Sequence, residues 1–186
     1  MTTSSRPPIL RQNKCANPPG VLPQSPEPHT AAGQVGEWAS CPAAELAAVV
    51  GDVADPELPY VTIGDLGIVR DVQVEGSCVT VVLTPTYTGC PATEQIADDV
   101  AAAVRALGYE PVVRTVLSPA WSTDWITDRG RARLREAGIA PPGELVACPR
   151  CGSQLARRVS EFSGTACKAL YACQSCREPF ERFKPL

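Results

Sequence analysis

Apolar residues return with a helical period at Leu46, Val49 and Val50, which predicts a helix over Pro42 to Gly51 capped by Ser40 or Cys41. Asp52 to Pro59 breaks that period with a turn-rich run containing Asp55-Pro56-Glu57, where an aspartate before proline starts a turn. Alternation over Leu66 to Val74, a Glu75-Gly76-Ser77 turn and the apolar run Cys78 to Leu83 predict a β-hairpin. Cys78 alternates inward and reads as a buried structural thiol. Thr84 to Pro91 is an irregular polar loop. From Ala92 to Leu107 the period becomes helical again, with Ile96, Val100, Ala103, Val104 and Leu107 on one face and Gly108 as the stop. Val112, Val113, Val116 and Leu117 predict a third strand, Trp121 to Trp125 a loop, and Asp128 to Ala137 a last helix ended by Gly138. The order helix, two strands, helix, strand, helix is that of a small α/β (α+β) domain.

The flanks differ in kind. Residues 1–40 hold seven prolines among Ser, Gln and Thr, a composition that buries too little apolar surface to offset the entropy of ordering. They are expected to form a disordered tail, with an early start codon as one source of its length. The only histidine, His29, lies there and reads as functionally silent. Pro141-Pro142-Gly143 opens a stiff linker, giving an expected division into a tail (1–40), an α/β body (41–140), a linker (141–147) and a C-terminal module (148–186).

That last module carries the clearest chemistry. Cys148-Pro-Arg-Cys151 and Cys173-Gln-Ser-Cys176 are two CxxC knuckles separated by 21 residues, enough for a hairpin that brings them together. Four thiolates so arranged make a tetrahedral site for structural zinc, with rubredoxin-like iron as the other S4 option. A module this small lacks the apolar volume to fold alone, so the ion would supply much of its folding free energy. Val159, Phe162 and Tyr171 are expected to cover the site, with Phe180 and Phe183 behind it. Cys167 is either a spare thiol on the linking hairpin or an alternative ligand.

Charge narrows the partners. Residues 41–147 carry 7 basic and 15 acidic side chains, and residues 148–186 carry 7 and 3. An acidic body with a mildly basic knob suits a protein partner better than nucleic acid. The nine cysteines are odd in number and four sit in CxxC pairs, which fits metal binding in a reducing compartment. No apolar run is long enough to span a bilayer and no secretory h-region is present, so cytosol is the expected location. Without a second histidine the body holds neither a His-based triad nor a Glu-x-x-His diiron set. It also lacks a phosphate-binding loop, a dinucleotide fingerprint and a nucleophile elbow. These absences argue against a self-contained enzyme.

Cys90 lies between Gly89 and Pro91 at the start of the best helix. Unpaired N–H groups and the positive helix end favour a thiolate there, predicting a lowered pKa. Thr84, Thr86 and Thr88 can donate to a sulfur-ligated group. One accessible thiolate does not complete a tetrahedral site, so a bound metal or cluster takes its remaining ligands from a dimer mate, another chain or a small thiol, and binding is expected to be transient.

Several stretches then match something known. Asp55-Pro56-Glu57, Asp65-Leu66-Gly67-Ile68-Val69, and the Thr84-to-Pro91 loop with its following helix resemble the iron–sulfur assembly family that includes SufT and the MIP18-type factors. Cys148-Pro-Arg-Cys-Gly-Ser, Ser160-Glu-Phe-Ser-Gly-Thr-Ala-Cys167-Lys-Ala-Leu-Tyr, and Cys176-Arg-Glu-Pro-Phe-Glu-Arg-Phe-Lys-Pro-Leu186 resemble the PaaD family, accessory proteins of the multicomponent phenylacetyl-CoA epoxidase. The resemblance covers residues 43–186. It implies a small mixed-sheet domain with flanking helices followed by a zinc ribbon, and a non-catalytic role in phenylacetate catabolism. It implies help in maturing a metal centre of the diiron oxygenase or of the flavin and [2Fe–2S] reductase. A cluster-handling set of Cys90, Thr84, Thr86, Thr88, Asp55 and Glu57 follows, with zinc on Cys148, Cys151, Cys173 and Cys176. A homodimer is compatible with it; nucleic acid and membrane are not expected partners.

Overall fold

A computed structural model describes residues 42–143 and 145–185. The expected tail, with His29, lies outside the described residues. The first helix, α1, runs Pro42–Gly51 and buries Leu46 and Val50, while Val49 faces solvent. Strands β1 (Val69–Glu75) and β2 (Cys78–Leu83) form the expected antiparallel hairpin, turned at Gly76 with φ +63°. Helix α2 (Ala92–Ala106) buries Ile96, Val100 and Val104 and leads to β3 (Glu110–Thr115). β3 lies parallel to β2, so α2 is the crossover that a parallel pair requires. The three-stranded sheet has the order β1-β2-β3.

Two boundaries differ from expectation. β1 starts at Val69 rather than Leu66, because Leu66–Ile68 bonds back to the preceding turn: Leu66 N–H donates to Thr62 O at 3.0 Å and Ile68 N–H to Ile63 O at 2.9 Å. Gly67 sits at φ +67°, where an added Cβ would lie 2.5 Å from Trp125 O, so only glycine fits. Leu107, expected on the buried face of α2, follows the helix and is exposed.

Helix α3 (Asp128–Glu136) is capped by Thr127, whose hydroxyl accepts from Gly130 N–H at 3.0 Å. Its Arg129 and Arg133 reach Asp65, which is completely buried: Nε to Oδ1 is 2.5 Å and a guanidinium nitrogen of Arg133 to Oδ2 is 2.9 Å. Burial alone would raise the Asp65 pKa, but these arginines and the Thr62 N–H hold it below the usual carboxylate range. The turn before β1 and the start of α3 are thereby tied together.

The C-terminal module is a four-stranded sheet in the order β4-β7-β6-β5, comprising β4 (Ile139–Ala140), β5 (Ala156–Ser160), β6 (Lys168–Cys173) and β7 (Pro179–Phe183). β4, absent from the sequence expectation, leads from α3 straight into this sheet and runs parallel to β7. Phe183 is fully buried in the same apolar cluster as the body's Leu46, Ile63 and Trp121, with its ring centroid 5.9 Å from that of Trp121. Phe183 therefore packs against the body rather than behind the cysteines.

Candidate functional site

In the ribbon, backbone bonds bring the two knuckles together. Gly152 N–H donates to Cys148 O at 2.8 Å, Cys173 N–H to Glu178 O at 3.0 Å, and Ser153 and Ser175 hydroxyls meet at 2.7 Å. Gly152 at φ +73° and Arg177 at φ +62° follow the second cysteine of each knuckle, so both pairs end in the same left-handed bend. The four sulfurs lie within 4.8 Å of one another, with Cys148 to Cys176 at 3.8 Å and Cys151 to Cys173 at 3.6 Å. A tetrahedron of Zn–S bonds has sulfur–sulfur edges of about 3.8 Å, which these two separations match, so the donor set suits zinc.

The Cys176 N–H leads the interactions that hold the Cys173 thiol down to about 6, donating to its sulfur at 3.5 Å. Cys176, whose thiolate the Glu178 N–H favours, is nonetheless pushed up to about 12 by burial and by the neighbouring sulfurs. The quartet thus shares protons that a divalent ion would displace. Tyr171 and Phe180 stack at 5.9 Å and Phe180 packs with Cys148 and Cys173, so these aromatics cover the centre. Val159 and Phe162, also expected there, are 48% and 61% exposed, because they lie on and just after β5, the outer strand of the sheet.

The body presents a second thiol centre. Thr84 N–H donates to Ile68 O at 2.8 Å, which fixes the loop to the end of the hairpin. The loop closes where Cys90 N–H donates to Tyr87 O at 3.2 Å and Thr93, N–H and hydroxyl, donates to Cys90 O. Cys90 is half-buried and a free thiol. Facing it is the turn after α1, where Asp55 Oδ1 accepts from Glu57 and Leu58 N–H groups at 2.9 Å each. Asp55 is buried and Glu57 half-buried.

This neighbourhood reverses the expected proton preference of Cys90. Burial pushes its thiol up, and the charges of Glu57 and Asp55 push further; the Ala92 N–H at the helix mouth and Thr93 oppose them without prevailing. The helix-end effect is present, as the sequence suggests, but it is outweighed by burial, to which the carboxylates of a distant segment add. Burial, which raises the Asp55 pKa too, works against the two N–H groups that favour its charge.

Of the three threonines, Thr84 is 1% exposed and its hydroxyl has no hydrogen-bond partner among the described residues, Thr86 is buried, and Thr88 is exposed. Tyr87 was not singled out from sequence, although it stands three residues before Cys90. Burial raises its pKa first, and the Cys90 thiol adds to the rise. Cys167 lies away from the ribbon quartet. It is buried in the body's apolar cluster, with the Thr165 hydroxyl 3.0 Å from its sulfur. Cys78, expected as a buried thiol, is half-buried and disulfide-bonded.

Comparison with known proteins covers both parts of the chain. Residues 138–184 match the family model described as PaaD zinc beta ribbon domain, and residues 43–116 the one described as iron-sulfur cluster assembly protein. A putative 1,2-phenylacetyl-CoA epoxidase component of Escherichia coli (strain K12) is 48% identical over 150 residues, spanning 75% of this chain and 91% of that protein. The chain belongs to the PaaD family. The Fe-S protein maturation auxiliary factor of Porphyromonas gingivalis (strain ATCC BAA-308 / W83) is 31% identical over 93 residues, 48% of this chain and 88% of that one. A crystal structure of a domain of unknown function from Bacillus anthracis covers 50% of the chain at 31% identity and a TM-score of 0.47. In this PaaD-family chain the zinc quartet falls in the ribbon match, while Asp55, Glu57 and Cys90 fall in the assembly-domain match.

Proposed function

We propose that this protein is a non-catalytic maturation factor for an oxygenase system of the phenylacetyl-CoA epoxidase type. Cys90 receives an iron or iron–sulfur unit and passes it to the diiron oxygenase component or to the [2Fe–2S] flavin reductase. The observation that carries the reading is a half-buried, unpaired thiol at the mouth of α2, in the segment matched by an iron–sulfur assembly family. Half burial suits transfer, since the residue is partly shielded by the body yet not sealed from solvent. Negative charge beside it disfavours a bare thiolate but favours one neutralised by a cation, so the thiol is drawn to metal rather than to free ionisation.

Zinc on Cys148, Cys151, Cys173 and Cys176 has a separate, structural role, shaping the ribbon. Among the described residues no helix is long and apolar enough to cross a membrane, and we place the chain in the cytoplasm with its clients. The test is to co-produce Cys90→Ser with the oxygenase and reductase and measure their iron. Iron loss with the complexes intact supports maturation. Unchanged iron and activity would leave a structural or regulatory subunit.

A further inference from the structure

We propose that the free edge of β5, the outermost ribbon strand, is a docking surface for a partner protein. It takes one extended segment of that partner, in which apolar side chains alternate with acidic ones. The choice of partner to test rests on the maturation reading above; the surface itself does not.

β5 pairs with β6 on one side only, and among the described residues no strand lies on the other. Backbone N–H and C=O groups that point away from β6 are therefore open to an added strand. The side chains from Arg157 to Ser160 are all exposed. Three of the eight large apolar side chains exposed among the described residues fall within this one stretch: Leu155, Val159 and Phe162.

Phe162 is held in place rather than left loose. Its N–H donates to the Ser160 hydroxyl at 3.2 Å. The next residue is fixed twice, since Ser163 N–H donates to Lys168 O at 3.1 Å and its hydroxyl donates to Glu181 Oε1. Lys168 Nζ in turn holds Glu181 Oε2 at 2.7 Å. The Phe162 ring still faces solvent, with Lys184 Nζ 4.4 Å from its centroid. An exposed aromatic on a fixed backbone is pre-organised for contact, because little ordering entropy is lost when a partner covers it.

Charge decides the occupant. Each of the ribbon's three acidic side chains is already paired: Glu161 with Arg158 at 2.5 Å, Glu178 with Arg150 at 3.2 Å and Glu181 with Lys168. Arg157 and Lys184, which stand among the exposed apolar residues, have no carboxylate partner among the described residues. An acidic guest strand supplies those partners. A second copy of β5 does not, since edge-to-edge pairing sets Arg157 and Arg158 against like charges. The register shift between Arg158 and Ser160 also bends the strand away from the long flat edge that self-pairing favours. Pairing with β1 of a second copy, which carries Asp71 and Glu75, repeats head to tail without closing. Residues 1–40 hold seven prolines, with Arg6, Arg11 and Lys14 against Glu27 and Glu37, so they complement neither the backbone nor the charge of this edge.

The experiment uses the zinc-loaded full chain, alone and mixed with the purified oxygenase component or the purified reductase component. Amide hydrogen exchange is followed over Ala156 to Val159, which needs no variant to fold. One of the two components is expected to slow exchange there at least about tenfold, as new strand pairing does. Arg157→Glu and Phe162→Ala, with zinc content as the folding control, should each weaken that association at least about tenfold, and raising the salt should weaken it in wild type. No slowing with either component, or binding unchanged in both zinc-replete variants, overturns the proposal. Self-association of the free chain that Phe162→Ala abolishes gives the edge to a second copy and overturns it too. If client iron depends on Cys90 while β5 exchange ignores both components, the maturation reading stands and the docking edge fails. If β5 is protected and the variants lose binding while client iron ignores Cys90, the docking edge stands and the maturation reading fails.

Discussion

Asp65 and Cys90 show how differently one chain treats two buried ionisable groups. Asp65 is fully buried yet charged, because Arg129 and Arg133 both reach it. Removing one partner of a buried pair costs about 3–5 kcal/mol, but these arginines are 57% and 38% exposed and can rehydrate, so Asp65→Ala should cost about 2–3 kcal/mol by denaturant titration. Its folded pKa lies below the unfolded value near 3.8, so its contribution is complete above that pH and is lost as pH falls through the lower folded value. Acid unfolding of Asp65→Asn should accordingly lack the part of the wild-type transition that lies below pH 3.8. Cys90 is the opposite case: burial first, and then the nearby carboxylates, overrule the helix mouth. Its alkylation by iodoacetamide should therefore be slower at neutral pH than that of an ordinary exposed cysteine; a faster rate would contradict the raised pKa. The four zinc ligands could be read from spacing because a CxxC knuckle is local. The proton preference of Cys90 could not, because it depends on burial in the tertiary fold and then on Asp55 and Glu57, more than thirty positions away.

Among the elements, hairpin and helices were legible because their apolar periods are long and uninterrupted. The start of β1 was not, since Leu66 looks like strand by alternation while Gly67 turns the chain beside Trp125. This predicts a contrast between two glycines of similar φ. Gly67→Ala meets Trp125 backbone as well as an unfavourable φ and should destabilise by about 2–4 kcal/mol. Gly76→Ala has nothing within 4 Å and should cost only about 1 kcal/mol, the left-handed penalty alone. Equal effects in thermal or denaturant melts would contradict the tight Trp125 contact. The ribbon aromatics were misassigned for a related reason: sequence shows that Val159, Phe162 and Phe183 are apolar, but strand order decides which of them faces solvent, the metal or the body.

Across the whole molecule the ribbon and the body share a core. Phe183 is 0% exposed beside Trp121, 62 positions earlier in the chain, so Phe183→Ala should lower global stability by about 3–5 kcal/mol. Zinc removal should be felt in the body for the same reason. A chelator strong enough to strip the quartet is expected to unfold the ribbon and shift Trp121 emission to longer wavelength; emission unchanged after complete zinc loss would separate the two parts. This coupling was invisible in sequence because it passes through β4 and Phe183, two short features whose partners lie in different segments. The central claim is a division between a quartet that shapes the ribbon and Cys90, which handles cargo. It is tested most directly by iron analysis of the oxygenase and reductase matured alongside Cys90→Ser. The account predicts client iron well below the wild-type level while the variant keeps its own zinc and still associates. Client iron equal to wild type, with Cys90 gone and zinc retained, would contradict it.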